Sequence, residues 1–194
     1  RILPMSNSRV ETRVMTPAGE LSFQEYFVQR WYQDPVNSVR FAGASEAEAA
    51  PGVIEAILSA SAIVIAPSNP VTSIGPILAV PGIRAALRET QATVAAVSPI
   101  IGSAAVSGPA GVLMAAQGLP VSIAGLAQAY GDFLDILIAD LRDQRAAGQL
   151  DRPGLRVHCA NTIMKTAEDK AKLARTVLAL LTTQKSARAV SDPS

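Results

Sequence analysis

The sequence is short of the residues on which covalent catalysis most often rests. It has one cysteine, Cys159, and one histidine, His158. A single cysteine rules out an internal disulfide, and a reducing, cytoplasmic setting is the simplest one for it. No Ser-His-Asp triad or histidine-rich metal site is built from one histidine that is expected to pack at a strand end. Its neighbour Cys159 would face the opposite side of the same strand, so the pair does not activate itself. Charge is scarce and balanced: 17 Lys and Arg against 16 Asp and Glu leave a net charge of +1. That removes the electrostatic case for nucleic acid or an acidic membrane surface as partner.

Two tracts, Ala56–Ile83 and Thr90–Gly131, contain no Asp, Glu, Lys or Arg. Their length invites a membrane reading, but Pro67, Pro70, Pro76 and Pro81 interrupt the first and Pro99, Pro109 and Pro120 the second. A spanning helix needs about 20 unbroken apolar residues. Buried parallel strands with their loops give the same uncharged pattern. No membrane segment or secretory signal is therefore expected. The chain opens on Arg1 rather than Met, and its start reads as a cut in a longer chain.

What is present is an alternation of strands and helices. Arg9–Thr16 alternates as a strand, Pro17-Ala18-Gly19 turns, and Ser22 with Glu25 spells a capping box. Phe23, Phe27 and Trp31 at helical spacing predict a helix over Phe23–Tyr32 with its aromatic face in the core. Val36–Phe41, Ser61–Ala66, Thr93–Val97, Leu134–Ile138 and Leu155–Cys159 have strand composition, and Val121–Ser122 suits a shorter one. Helices are predicted over Val53–Ala60, from Thr72 to Glu89 with a break near Pro81, over Pro109–Gln117 and over Ile123–Tyr130. Asp140–Gly148 is expected as an exposed helix. Thr166–Thr183 is expected as a long one, with an apolar stripe at Ala171, Leu173, Ala174, Val177, Leu178 and Leu181. The order predicts an α/β fold: one Rossmann-like three-layer sandwich over residues 1–185, with a mostly parallel sheet and a disordered tail at 186–194.

In such sheets ligands bind beyond the carboxyl ends of the strands. Three loops stand out there. The first, Pro67–Pro76, offers the hydroxyls and amide of Ser68, Asn69, Thr72 and Ser73 near a helix start, with Gly75 letting backbone approach a ligand closely. Ordinary capping of a βα loop explains the same residues. The second, Ser98–Pro109, includes Ser98, Gly102 and Ser103 and matches neither a Walker loop nor a GxGxxG fingerprint. It suits a second phosphate or a base, or simply a turn. The third joins Tyr130-Gly131-Asp132 to Asp135, Asp140 and Asp143, carboxylates able to hold Mg²⁺ or act as a base. Asp140 and Asp143 are expected to be solvated surface charges. Lys165, Lys170 and Lys172 suit a solvated helix face.

Leu21–Arg30 (LSFQEYFVQR), Pro67–Gly82 (PSNPVTSIGPILAVPG), Val97–Gly102 (VSPIIG), Ser107–Ala110 (SGPA) and Ala160–Lys170 (ANTIMKTAEDK) resemble the 2-phospho-L-lactate transferase family of coenzyme F-420 biosynthesis. The resemblance spans most of this chain and about the C-terminal three fifths of a family member. It implies a Rossmann-like homodimeric enzyme assisted by Mg²⁺. It also implies transfer of a 2-phospho-lactyl or enolpyruvyl phosphate group from a guanosine diphosphate-linked donor to the deazaflavin Fo, with GMP released. By position, Ser68, Asn69, Ser73 and Gly75 would line the donor nucleotide or diphosphate, and Ser98 and Gly102 the neighbouring wall. No catalytic base and no metal ligand is assigned, since the family's metal and deazaflavin contacts lie upstream of Arg1. The sequence departs from the family pattern at Ser6-Asn7-Ser8, where acidic residues are usual, and at Asn161, where Asp is common. Ser103, Ala104 and Ser107 also replace a loop that typically carries two lysines. A non-catalytic nucleotide- or nucleotide-sugar-binding relative is the alternative reading, and a degenerate fragment a third.

Overall fold

Two sheets divide the chain, and the reason lies in how their strands are connected. The computed structural model describes residues 1–190, with side chains through Thr182. The first sheet is antiparallel and unites β1 (Glu11–Thr16), β2 (Gly19–Ser22) and β3 (Ser38–Ala42) in the order β2-β1-β3. A two-residue turn at Pro17-Ala18 folds β2 straight back on β1, as only antiparallel neighbours allow. The sequence reading assigns that segment to a turn and a helix cap, and so misses both β2 and this small sheet. The capping box is real: the Ser22 N–H donates to Glu25 Oε2 at 2.7 Å, and the Glu25 N–H to Ser22 Oγ at 3.2 Å. The predicted ten-residue helix is instead a short wide turn, Glu25–Gln29, closed by the Arg30 N–H bonding to the Glu25 carbonyl.

After α1 (Val53–Leu58), the second sheet begins with β4 (Ala62–Ile65). A helical turn, Pro70–Ile74, leads into α2 (Gly75–Ala79), and α3 (Ile83–Glu89) follows at an 87° bend. The bend falls at Val80-Pro81-Gly82, where Pro81 interrupts the helical bonding and Gly82 takes φ +88°. Next come β5 (Thr93–Val97) and a hairpin of β6 (Ile100–Ile101) and β7 (Ala104–Ala105). Then follow α4 (Ala110–Ala116), α5 (Ile123–Ala129), β8 (Ile136–Asp140), α6 (Gln144–Leu150), β9 (Arg156–Ala160) and α7 (Ala167–Val190). Strands β4, β5, β8 and β9 are all parallel, in that order. Val121–Ser122 forms no strand, and β8 starts two residues later than its composition suggests.

The parallel sheet is the middle of three layers. Val94, Ala96, Leu137 and Ala139 on one face pack with Ile83, Leu87, Leu113, Met114 and Leu126. Ala95, Val97, Ile136 and Ile138 on the other pack against Leu173, Val177 and Leu181 of α7. Leu178, expected in that stripe, faces outward. β5 and β8 are buried along their whole length, but β4 is an edge strand with Val64 46% exposed. The composition of SAIVIA is that of an interior strand, and edge position, a property of the pairing, overrides it. Of the tail expected at 186–194, residues 186–190 continue α7, and 191–194 lie outside the described residues.

The small sheet docks on the larger domain at two points that fix its orientation. The Gln117 side-chain N–H donates to the Val39 carbonyl at 2.6 Å. Phe41 lies against Gly75, where a Cβ would fall 2.6 Å from the ring's Cζ. Gly75 therefore serves the packing of β3 on α2. Among the described residues, no single helix is long and apolar enough to cross a membrane, and the one bent pair that is apolar enough turns by 87°.

A cleft at the carboxyl ends of the strands

The parallel strands all point towards one edge of the sheet, and a cleft of about 470 Å³ lies there. Its floor comes from the loops after β4 and β5, with Ser68, Asn69, Thr72, Ser73 and Ser98 brought together as the sequence suggests. Ser107, Gly108 and Pro109 close a second side, Thr162 and Met164 after β9 a third, and Phe23 and Phe27 in the turn after β2 a fourth. Gly75 does not reach it. Gly102 and Ser103 turn the β6–β7 hairpin outside it, where the Gly102 N–H donates to Asp143 Oδ1 at 2.8 Å.

The polar groups of the cleft divide into those already committed to the fold and those left for a ligand. Asn69 caps the helical turn after it: its Oδ1 accepts from the Val71 N–H at 2.9 Å and the Thr72 N–H at 3.3 Å. The Ser98 hydroxyl is closed into a local turn, donating to the Ile100 carbonyl at 2.7 Å and accepting from the Ile100 N–H at 3.0 Å. Thr162 donates to Asp140 through both its N–H, at 3.1 Å, and its hydroxyl, at 3.0 Å. By contrast, among the described residues no hydrogen bond engages the hydroxyls of Ser68, Thr72, Ser73 or Ser107. Such hydroxyls, gathered beyond the end of a parallel strand, suit a phosphate or diphosphate.

Asp140 and Asp143 are buried, not solvated as expected. Asp140 ends β8 beneath the cleft and holds Arg142 as well as Thr162, with the Arg142 Nε at 2.5 Å. Burial alone would raise the Asp140 carboxyl; the Arg142 guanidinium and the N–H and hydroxyl donors outweigh it and hold the group well below the usual carboxylate range. Asp140 thus favours its ionised form and orders the loop after β9 through Thr162. The carboxylates of the third predicted cluster are split between opposite ends of the sheet. Asp135 accepts from the Val94 N–H at 2.8 Å, and Asp132 pairs with Arg84 at 2.5 Å, at the amino end and away from the cleft. Burial, with Asp143 and Asp140 nearby, raises the Cys159 thiol, which does not suit it as a nucleophile. Lys165, Lys170 and Lys172 are exposed, as expected.

No carboxylate lines the cleft, and among the described residues no three acidic, histidine or cysteine side chains gather to hold a metal. These residues do not make a magnesium site of their own. Neither do they supply a cation.

The sequence pattern described as 2-phospho-L-lactate transferase CofD matches residues 1–177. The chain belongs to the 2-phospho-L-lactate transferase family. It is 44% identical over 183 residues to the 2-phospho-L-lactate transferase of Methanosarcina barkeri, covering 94% of this chain and 59% of that one. It is 43% identical over 179 residues to that of Methanococcoides burtonii, covering 92% and 58%. With the enzyme of Methanopyrus kandleri the identity is 42%, over 93% of this chain and 57% of that one. The chain therefore spans less than three fifths of the length of these relatives. Among solved structures, a UPF0052-family protein from Bacillus halodurans superposes with a TM-score of 0.61 at 16% identity, over 92% of this chain and 61% of the other. That likeness confirms the α/β fold. Within the family's frame, Phe23, Phe27, Thr162 and Met164 are residues that sequence alone did not bring to the cleft. Their approach depends on the docking of the small sheet and on Asp140, neither of which leaves a local motif.

Proposed function

We propose that this chain carries the donor-binding part of a 2-phospho-L-lactate transferase. The group transferred is 2-phospho-lactyl, or enolpyruvyl phosphate, from a guanosine diphosphate-linked donor to the deazaflavin Fo. The 5′ hydroxyl of Fo attacks the phosphorus that bears the lactyl group, the bond from that phosphorus to the bridging oxygen breaks, and GMP leaves with that oxygen. The hydroxyl proton goes to solvent. The observation that carries the reading is the set of unengaged hydroxyls on Ser68, Thr72, Ser73 and Ser107, gathered at the carboxyl edge of a parallel sheet. In such transfers, positioning and charge neutralisation do most of the work. The unengaged hydroxyls would position the diphosphate here. Mg²⁺ belongs to the proposed reaction, held by groups other than the cleft residues described above. Assembly as a homodimer in the cytoplasm belongs to the same proposal.

The absence of any acid or base from the lining of the cleft favours one second reading, a nucleotide-binding relative without transfer activity. Calorimetric titration of GDP into the chain, followed by an assay for Fo consumption with the lactyl donor, separates the two. GDP binding with turnover supports the transferase. Binding without turnover supports the second reading, and no binding by GDP refutes both.

A further inference from the structure

The mouth of the cleft carries an arrangement that folding alone does not favour. Phe23 and Phe27 lie nearly parallel, ring centroids 5.5 Å apart at 18°, and Phe27 and Tyr32 continue the row at 5.6 Å and 16°. These are offset-stacked pairs. Phe23 and Phe27 line the cleft, while Phe27 is 39% and Tyr32 41% exposed, and Trp31 beside them is 72% exposed. Sequence reasoning places this aromatic face in the core; only Tyr26 of the segment is buried. The backbone is also unusual. Trp31 and Tyr32 have φ of 52° and 47°, a left-handed conformation that bulky side chains rarely adopt.

The turn is pinned from below. The Tyr32 N–H donates to the Tyr26 carbonyl at 2.9 Å, and the Arg30 N–H to the Glu25 carbonyl at 2.9 Å. A buried anchor thus holds strained residues so that a row of rings stands at a site that also presents the hydroxyls of Ser68, Thr72, Ser73 and Ser107. A pre-ordered row offers its ring edges and the outer face of its end ring to another planar ring at little entropic cost.

We propose that Phe23 and Phe27, backed by Tyr32, form an aromatic wall against which the planar heteroaromatic ring of a ligand packs, its phosphates meeting the hydroxyls of the loop after β4. This rests on the transferase reading, which supplies two such rings, the guanine of the donor and the deazaflavin of the acceptor.

The test titrates GDP and Fo separately into the full chain and into Phe27→Leu, Phe27→Tyr and Tyr32→Ala, following calorimetry and the absorbance of the deazaflavin. Urea midpoints establish that each variant is folded. Phe27→Leu should weaken one of the two ligands by about 5- to 100-fold, the range for one base stacked on one aromatic ring. Phe27→Tyr should retain the affinity and the absorbance change on binding, and Tyr32→Ala should fall between. Loss for Fo alone assigns the wall to the acceptor, and loss for GDP alone assigns it to the donor. Wild-type affinity of Phe27→Leu and Tyr32→Ala for both ligands overturns the stacking wall and leaves the transferase reading standing. Failure of the unaltered chain to bind either ligand overturns the transferase reading, and the wall with it.

Discussion

The loops after β4 and β5 leave the same edge of one sheet and draw on the same residue types, Ser, Pro and Gly. Their hydroxyls end in different states. In the loop after β5, Ser98 is 1% exposed with its hydroxyl bonded in both directions, and the chain then folds into a hairpin tied down by Asp143. In the loop after β4, Asn69 alone organises the backbone, and the hydroxyls around it stay open to the cleft. One loop is a wall and the other a binding surface. The cause is geometric: a capping side chain at the first position of a turn satisfies two N–H groups at once, which leaves the following hydroxyls without a structural task.

The largest effect should come from the group that supports the wall. Asp140→Ala removes the acceptor of the Thr162 N–H and hydroxyl and leaves a buried donor unpaired. A loss of about 2–3 kcal/mol is expected, read as a fall in the urea midpoint at pH 7. The pH dependence has a definite sign. The folded-state carboxyl of Asp140 is held below its unfolded value, so its stabilisation is complete above about pH 4 and declines as pH falls further. The difference in stability between the natural chain and Asp140→Asn should be constant from pH 5 to 8 and shrink at pH 3. A difference that grew on acidification would contradict the role assigned to Asp140.

Ser98→Ala should follow, at about 1–2 kcal/mol, because two buried hydrogen bonds are lost and the Ile100 N–H is left without its partner. GDP affinity should change little once the variant is folded. A large loss of affinity with unchanged stability would move Ser98 from the wall to the binding surface.

How much of this was legible beforehand follows from which residues act locally. The capping box at Ser22 and Glu25, the helix break at Pro81-Gly82 and the buried strand at Thr93–Val97 are written in neighbouring residues, and each is where its pattern places it. Ser68, Asn69, Thr72, Ser73 and Ser98 share a cleft because strand ends of a parallel sheet point one way, which topology alone implies. Long-range facts were not legible. Asp140 and Asp143 look like surface acids until the segment after β9 and the β6–β7 hairpin close over them. Gly75 looks like a ligand-approach glycine until Phe41, from a sheet not visible in the pattern, fills the space beside it. The aromatic face at Phe23, Phe27 and Trp31 has the period of a core helix and lies outside, since a short turn with two left-handed residues replaced the helix.

Asn69 stands on the border between the two states, and its substitution should show both effects. Its Oδ1 is committed to the cap while the residue lines the cleft. Asn69→Ala should cost about 1 kcal/mol in stability, the usual worth of such a cap, together with a fall in GDP affinity. Asn69→Asp keeps the cap and places a negative charge beside the proposed diphosphate. It should hold the urea midpoint near that of the natural chain and lower GDP affinity further than Asn69→Ala does. Equal affinities for the two variants would show that the diphosphate does not lie there.

The smallest structural effect, and the sharpest division between the loops, should come from Ser73→Ala and Thr72→Val. Neither hydroxyl has a hydrogen-bond partner among the described residues, so neither substitution removes a bond from the fold. Stability should stay within about 0.5 kcal/mol, as for other substitutions that disturb no packed or bonded group. Binding is different, because a neutral hydrogen bond to a ligand contributes about 0.5–1.5 kcal/mol net. Each variant should therefore bind GDP about 2- to 10-fold more weakly by calorimetry. The ratio of the two effects is the informative quantity: Ser98→Ala should lower stability and spare affinity, while Ser73→Ala and Thr72→Val should do the reverse. If all three variants shift stability and affinity together, the cleft is one cooperative unit, and the unengaged hydroxyls mark no separate binding surface.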